Sequence, residues 1–191
     1  MNVAVMASTN GTDMDALLGG EYLQLVICNK ECGAAEKGRA HNIETIIVDE
    51  KDRVAFAQDV MQLLTEKNID LVVLIGFMKI LSKAYIDTWG LKTMNIHPSL
   101  LPAFAGGMDT NVHEEVLKRG CKVTGCTLHF IDEGADTGPI IAQTIVPVAD
   151  DETVDSLKEK VQQAEIDTIR TAVEQYAQGK ITINGDKVTV A

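Results

Sequence analysis

Asp70-Leu71-Val72-Val73-Leu74-Ile75 is the stretch that most narrows what this chain can fold into. Its apolar run, rich in β-branched residues and closed by Gly76, reads as a strand covered on both faces. Such strands belong to parallel sheets, which need helical crossovers. The rest of the chain supplies both. Residues 3–6, 23–27, 43–48 and 92–96 read as further strands. Helical spacing is expected over 14–18, ending at Gly19-Gly20, then over 34–40, 52–67 and from Ser82 or Lys83 onward. The apolar side of the 52–67 helix is Val54, Phe56, Ala57, Val60, Leu63 and Leu64.

Past residue 100 the pattern changes. A helix over 111–119, capped by Asp109 or Thr110, precedes two alternating stretches, 122–131 and 139–148, that read as antiparallel partners. Asp150-Asp151-Glu152-Thr153 opens a long helix reaching about Gln178. The tail is a hairpin whose Asn184-Gly185 matches a type I′ turn. The fold class expected is α/β, a mostly parallel central sheet with helices on both faces and a C-terminal antiparallel portion. No repeat or linker interrupts it, and residues 1–191 are read as one domain.

No apolar run approaches the ~20 residues that a bilayer span requires. Residues 3–6 are too short for a secretory signal and lack a basic flank, so a cytoplasmic protein with no membrane partner is expected. The formal charge of −11 argues against nucleic acid. It also repels a phosphorylated metabolite at long range, so any anion site must be built locally from backbone N–H groups. Asn10-Gly11-Thr12-Asp13, between the first strand and the 14–18 helix, is where such a site would stand; a plain turn with Thr12 or Asp13 as N-cap is the alternative. Cys28, Cys32, Cys121 and Cys126 lack zinc-knuckle or redox spacing and read as reduced thiols. No spacing supports a metal site.

The chemistry-bearing residues gather after the last parallel strand. In Met94-Asn95-Ile96-His97-Pro98-Ser99-Leu100-Leu101-Pro102, Asn95 and His97 stand two apart and leave the same face of an extended segment. Pro98 stops the strand. An amide N–H and an imidazole side by side suit a developing oxyanion. Asp136, in a turn about forty residues on, could take a proton from an attacking amine, orient His97, or merely bind nearby backbone N–H groups. No serine or cysteine sits in a nucleophile elbow, so direct transfer between two bound substrates fits better than a covalent intermediate. Phe77, Met78, Lys79, Ile80 and Leu81 follow a strand end. They read either as core or as an apolar lip for a flat aromatic group.

Six segments carry a resemblance: Ser8-Thr9-Asn10-Gly11-Thr12, Cys28-Asn29-Lys30, Ile75-Gly76-Phe77-Met78-Lys79-Ile80-Leu81-Ser82, Asn95 to Pro102, Gly125-Cys126-Thr127-Leu128-His129-Phe130 and Asp136-Thr137-Gly138-Pro139-Ile140-Ile141. In this order, across nearly the whole chain, they resemble the folate-dependent formyltransferases, and among them the phosphoribosylglycinamide (GAR) formyltransferases of purine synthesis. The resemblance implies a Rossmann-like formyltransferase fold. It further implies transfer of a formyl group from 10-formyltetrahydrofolate, as cosubstrate, to the amine of glycinamide ribonucleotide. Asn95, His97 and Asp136 would then be catalytic. Asn10, Gly11, Thr12, Asp13 and Glu165 would hold the ribonucleotide and its phosphate. Arg53, Phe77, Met78, Lys79, Ile80, Leu81, Asn95, Asp132 and Gly134 would line the folate pocket. No metal is implied, and the protein would be a monomer or homodimer.

Three departures stand out. Asp13 replaces the usual asparagine and puts a negative charge beside the phosphate turn. The stretch from Gly106 to His113 is about three residues longer than in the commonest members. Ile166 and Arg170 stand where histidine and proline are usual. Methionyl-tRNA formyltransferases share the Asn-x-His-Pro motif but carry an added domain and basic character. Formyltetrahydrofolate hydrolases share the trio but usually carry an N-terminal regulatory domain, which is not expected here with a first strand starting near residue 2. A non-catalytic folate- or nucleotide-binding relative is the alternative from another class.

Overall fold

The computed structural model describes residues 1–49, 52–106 and 111–191. They form two compact units, 1–95 and 96–191.

In the first unit, β1 (Val3–Ala7), β2 (Leu23–Cys28), β3 (Glu44–Ile47), β4 (Leu71–Ile75) and β5 (Thr93–His97) run parallel in the order β3-β2-β1-β4-β5. Every residue of β1 and β4 is buried, as the continuous apolar runs require. Three helices connect the strands: α1 (Gly33–Ala40), α2 (Arg53–Glu66) and α3 (Lys83–Trp89). The Asp52 carboxylate caps α2, accepting from the N–H groups of Val54 and Ala55 at 3.0 and 2.8 Å. Phe56, Ala57, Val60 and Leu64 of α2 are buried. Val54 is not, at 54% exposed. Two residues turn a helix by about 200°, which puts Val54 opposite Phe56. Ser82 caps α3 by accepting from Tyr85 N–H at 3.3 Å.

The helix expected over 14–18 is instead a five-residue 3-10 segment, Thr12–Ala16. Its N-cap is neither Thr12 nor Asp13 but Gly11, in the left-handed region at φ 61° with no side-chain cap. Crowding requires glycine at this position. A Cβ on Gly11 would stand 2.7 Å from that of Ala34. The tight entry and the early Gly19-Gly20 exit leave too few residues to propagate an α-helix.

The second unit takes in the end of β5, where the strand reaches His97, the last residue before Pro98. Helix α4 (Val112–Lys118) follows. The expected caps Asp109 and Thr110, with residues 107–110 of the long 106–113 stretch, lie outside the described residues. Asn111, expected inside the helix, is its N-cap, accepting from Glu114 N–H at 3.4 Å. β6 (Val123–Phe130) and β7 (Ile140–Pro147) pair antiparallel, from Val123 opposite Pro147 to His129 opposite Ile140. Helix α5 (Val154–Ala177) packs on both through a face that buries Leu157, Val161, Ile169 and Val173. Its acidic start is a capping box: Thr153 and Ser156 bond reciprocally, and Ser156 also donates to Glu152.

The tail hairpin, β8 (Ile181–Asn184) and β9 (Lys187–Val190), turns one residue later than expected. Asn184 pairs with Lys187, so Gly185-Asp186 are the central residues. Only Gly185, at φ 60°, is left-handed. That is the type II′ requirement, not type I′. All four cysteines are free thiols. No described helix is long and apolar enough to cross a membrane.

Candidate active site

β5 carries Asn95 and His97 two residues apart, on one face by strand alternation. His97 is 8% exposed, and its ring is held at both nitrogens. Nδ1 lies 3.0 Å from Ser99 Oγ. The Ser99 hydroxyl donates to the Ala103 carbonyl, so Oγ is left to accept from Nδ1–H. Nε2 then faces Asp136 Oδ2 at 3.4 Å. Burial pushes the His97 ring below its ordinary pKa; Asp136 opposes that shift and a second ring, His129, adds to it.

Asp136 occupies the loop between β6 and β7 in the left-handed region, at φ 59°. Aspartate visits that region more easily than most residues. The loop's stem is closed tightly. Phe130 N–H donates to Pro139 O at 2.9 Å, and a Cβ on Gly138 would stand 1.9 Å from Phe130 O. Inside the loop, Asp132 Oδ1 accepts from Gly134 N–H at 3.0 Å and from the Thr137 hydroxyl at 2.7 Å. Asp132 therefore shapes the turn. Gly134 is required beneath it, since a Cβ there would meet Thr137 Oγ1 at 2.0 Å.

The Asp136 carboxylate is shared. Oδ2 accepts from Gly106 N–H at 2.9 Å, while Oδ1 faces His129 Nε2 at 3.7 Å. The His129 ring first, then Gly106 N–H and His97, favour the charged form against partial burial and hold this carboxyl below the usual range. His129 had no expected role, though its motif was recognised. The signal available was alternation, which sets Thr127 and His129 on one face of a largely apolar strand. Ser99 was likewise only part of a motif.

Glu165 is buried in α5 at 5% exposure. Arg170, on the same helix, is exposed and pairs with Asp167 at 3.1 Å.

The remaining expected residues lie in the first unit. Asn10 and Thr12 are exposed, Gly11 buried and Asp13 half-buried. The cation that answers the acids of this turn is Lys37, which the sequence reading overlooked: it bonds Asp15 Oδ1 at 3.0 Å and Gly11 O at 3.3 Å. Among the described residues Asp13 Oδ1 is buried with no hydrogen-bond partner. Burial pushes the Asp13 carboxyl up to about 6; Lys37 opposes the shift and Asp15 adds to it.

Beyond β4, Met78 and Ile80 are 45% and 60% exposed, and Lys79 is exposed as well. Phe77 stacks on Phe56 with centroids 6.1 Å apart and planes at 20°. Leu81 turns inward at 7% exposure, and its carbonyl accepts from the Arg53 guanidinium. Arg53 thus ties α2 to the apolar lip. The lip itself is anchored just past β1, by Met78 N–H donating to Ser8 Oγ at 3.3 Å. Among the described residues no group of three or more His, Cys, Asp or Glu is arranged to hold a metal ion.

The glycinamide ribonucleotide transformylase 1 structure from Symbiobacterium toebii superposes on the whole chain and on 93% of its own length, with a TM-score of 0.92 at 31% identity. The fold is therefore the Rossmann-like α/β formyltransferase type. A family model described as formyl transferase matches residues 1–173, and the chain belongs to that family. Phosphoribosylglycinamide formyltransferase of Mycobacterium tuberculosis H37Rv is 34% identical, with 98% of this chain and 90% of that protein covered. The trifunctional purine biosynthetic protein adenosine-3 of Bos taurus is 38% identical over 95% of this chain. The chain spans about a fifth, 19%, of that longer protein.

Proposed function

We propose that this protein transfers the formyl group of 10-formyltetrahydrofolate to the amine of glycinamide ribonucleotide, with residues 1–191 acting as one functional domain in the cytoplasm. The observation that carries the reading is the pairing of buried His97, at the end of the strand that also bears Asn95, with half-buried Asp136 at 3.4 Å. That arrangement suits amine attack on a carbonyl.

In this mechanism the amine lone pair bonds to the formyl carbon, and the carbonyl π electrons move to oxygen. The Asn95 side-chain N–H and a proton on His97 Nε2 stabilise the oxyanion. Asp136 takes the proton that the attacking nitrogen sheds. The C–N bond to the folate then breaks. Its nitrogen is protonated through His97, leaving tetrahydrofolate and the formylated ribonucleotide. Because Nδ1–H is engaged by Ser99, every proton that His97 moves passes through Nε2.

Asn10, Gly11, Thr12, Asp13 and Glu165 are assigned to the ribonucleotide on the family motif. Arg53, Phe77, Met78, Lys79, Ile80, Leu81, Asp132 and Gly134 are assigned to the folate on the same basis. A monomer or homodimer suffices for this chemistry.

The test is a spectrophotometric assay with a 10-formyl folate analogue, run with and without glycinamide ribonucleotide. Loss of the formyl group only when the ribonucleotide is present is the expected result. Loss without it would replace the reading by hydrolysis. No loss from folded protein under either condition would remove the enzymatic reading altogether.

A further inference from the structure

Cys28 and Cys32 form a sulfur pair that the proposed chemistry does not use. Cys28 is the last residue of β2, fully buried and paired with Ala7 on one side and Ile47 on the other. Cys32 is the N-cap of α1, half-buried, and its side chain makes no capping hydrogen bond. Residues 29–31 turn the chain between them, and Cys32 stands within hydrogen-bonding reach of the Cys28 thiol. Burial first, then that contact, pushes the Cys28 thiol up to about 12.

The start of α1 is packed hard against the turn over Asn10 to Asp13. Ala34 N–H donates to Thr9 O at 3.1 Å. A Cβ on Gly33 would stand 2.9 Å from Asn10 Cα, and one on Gly11 would stand 2.7 Å from Ala34 Cβ. The two residues that follow Cys32 therefore touch the turn with no slack. We propose that Cys28 and Cys32 are an oxidative modification site, closed by hydrogen peroxide to a disulfide that displaces the start of α1 and shifts this turn. That the turn holds the ribonucleotide phosphate rests on the function proposed above.

Peroxide meets Cys32 first, the more accessible of the two. The O–O bond breaks, the Cys32 sulfur takes one hydroxyl as a sulfenic acid, and the other leaves with the thiol hydrogen as water. The Cys28 sulfur then attacks that of Cys32, whose S–O bond breaks, and the hydroxyl leaves with the Cys28 proton as a second water. Peroxide is reduced and two thiols are oxidised, with two hydrogens lost. The S–S bond, about 2.0 Å, is shorter than the contact it replaces. Cys28 is held by strands on both sides, so Cys32 gives way, and Gly33 and Ala34 with it.

The test treats the full-length protein with hydrogen peroxide, alkylates it and maps its four cysteines by peptide mass spectrometry. Cys28 and Cys32 are expected joined, two hydrogens lighter than the thiols and restored by dithiothreitol. In 15N-labelled protein the Gly11 amide resonance should shift with the same reversibility. KM for glycinamide ribonucleotide should rise roughly fivefold or more, with KM for the folate analogue held within about twofold. Cys32→Ser keeps a strong N-cap residue. It should retain the KM values of the reduced protein and show none of these responses to peroxide.

Cys28 and Cys32 still open to alkylation after peroxide, or bridged only to other cysteines, would overturn the proposal. So would an unmoved Gly11 amide in the bridged protein, an unchanged ribonucleotide KM in the bridged enzyme, or an equal peroxide response in Cys32→Ser. If that variant does not fold, the wild-type map and the Gly11 resonance decide. Failure of the reduced wild-type protein to transfer a formyl group would sink the functional reading, while the bridge and the Gly11 shift would still decide this one.

Discussion

Lys37 places its ammonium on Asp15, 3.0 Å away, and not on the half-buried Asp13. Asp13 is left with a buried oxygen that has no hydrogen-bond partner among the described residues. Its carboxyl is accordingly pushed up to about 6. A carboxyl raised in the folded state supports the fold while protonated, below its unfolded value near 3.8. That support is lost as pH climbs through about 6. Asp13→Asn should therefore stabilise the protein at pH 7.5, by on the order of 1–2 kcal/mol after allowing for partial solvation. The gain should vanish near pH 4. Urea unfolding at the two pH values measures it, and equal gains at both would show that the charge is not the cause. On the proposed function, the same change should also tighten ribonucleotide binding.

Asn95→Ala and His97→Ala each remove a group assigned to the developing oxyanion. Turnover should fall by on the order of a hundredfold or more in each, as losing one such donor typically does. Stopped-flow or steady-state rates of folded variants decide the matter. Near-normal turnover in both would remove the mechanism.

Ser99→Ala should act on the reaction through His97. With Oγ gone, Nδ1–H loses its acceptor and the ring is no longer held with Nε2 toward Asp136. A roughly tenfold or greater fall in kcat is expected with little change in KM, the mark of misplacement and not of lost binding. Unfolding should move by only about 1 kcal/mol, because the lost hydrogen bonds are few. A change confined to KM would contradict this assignment.

Gly125→Ala tests the pairing that supports Asp136. A Cβ at Gly125 would stand 1.9 Å from the Thr144 carbonyl oxygen, across the β6–β7 ladder. Backbone cannot yield there without breaking the register, so destabilisation of about 3 kcal/mol or more is expected. Thermal unfolding tests it directly. A shift near zero would mean that the two strands pair differently in solution.

The apolar runs of β1 and β4 reported their own burial, because a strand covered on both faces has no polar position to spare. Element boundaries also followed wherever a single residue enforces them. Pro98 ends β5 and Ser82 caps α3, whereas Asp52, expected inside its helix, caps α2. One of the failures involves contacts far apart in sequence. Gly11 packs against Ala34 and enters a 3-10 turn in the left-handed region, where local spacing suggested an α-helix. The hairpin failed for a local reason: Asn184 pairs with Lys187, which moves the turn one residue past the Asn-Gly signal.

The site divides in the same way. The placement of Asn95 and His97 on one face of a strand could be read from their spacing of two and a following proline. His129 could not be assigned a role, because what matters is the carboxylate it meets, and that carboxylate arrives from a loop beyond the strand's end. Lys37 was overlooked for the same reason: twenty-two residues separate it from Asp15.

The stem that closes the β6–β7 loop bears on how this protein could diversify. Phe130 and Pro139 fasten the loop's base, and the close fit of Gly138 against Phe130 sets its exit. Glu133, Gly134 and Ala135 at the tip are exposed. For a loop whose ends are already pinned, doubling its length costs only about 0.6 kcal/mol in closure entropy. New residues can therefore be spliced between Gly134 and Ala135 at small thermodynamic cost, provided that the bonds of Asp132 to Gly134 and Thr137 survive. The tip becomes a socket for grafted recognition sequences or reporter groups, carried one short step away from Asp136 while its backbone stays in place.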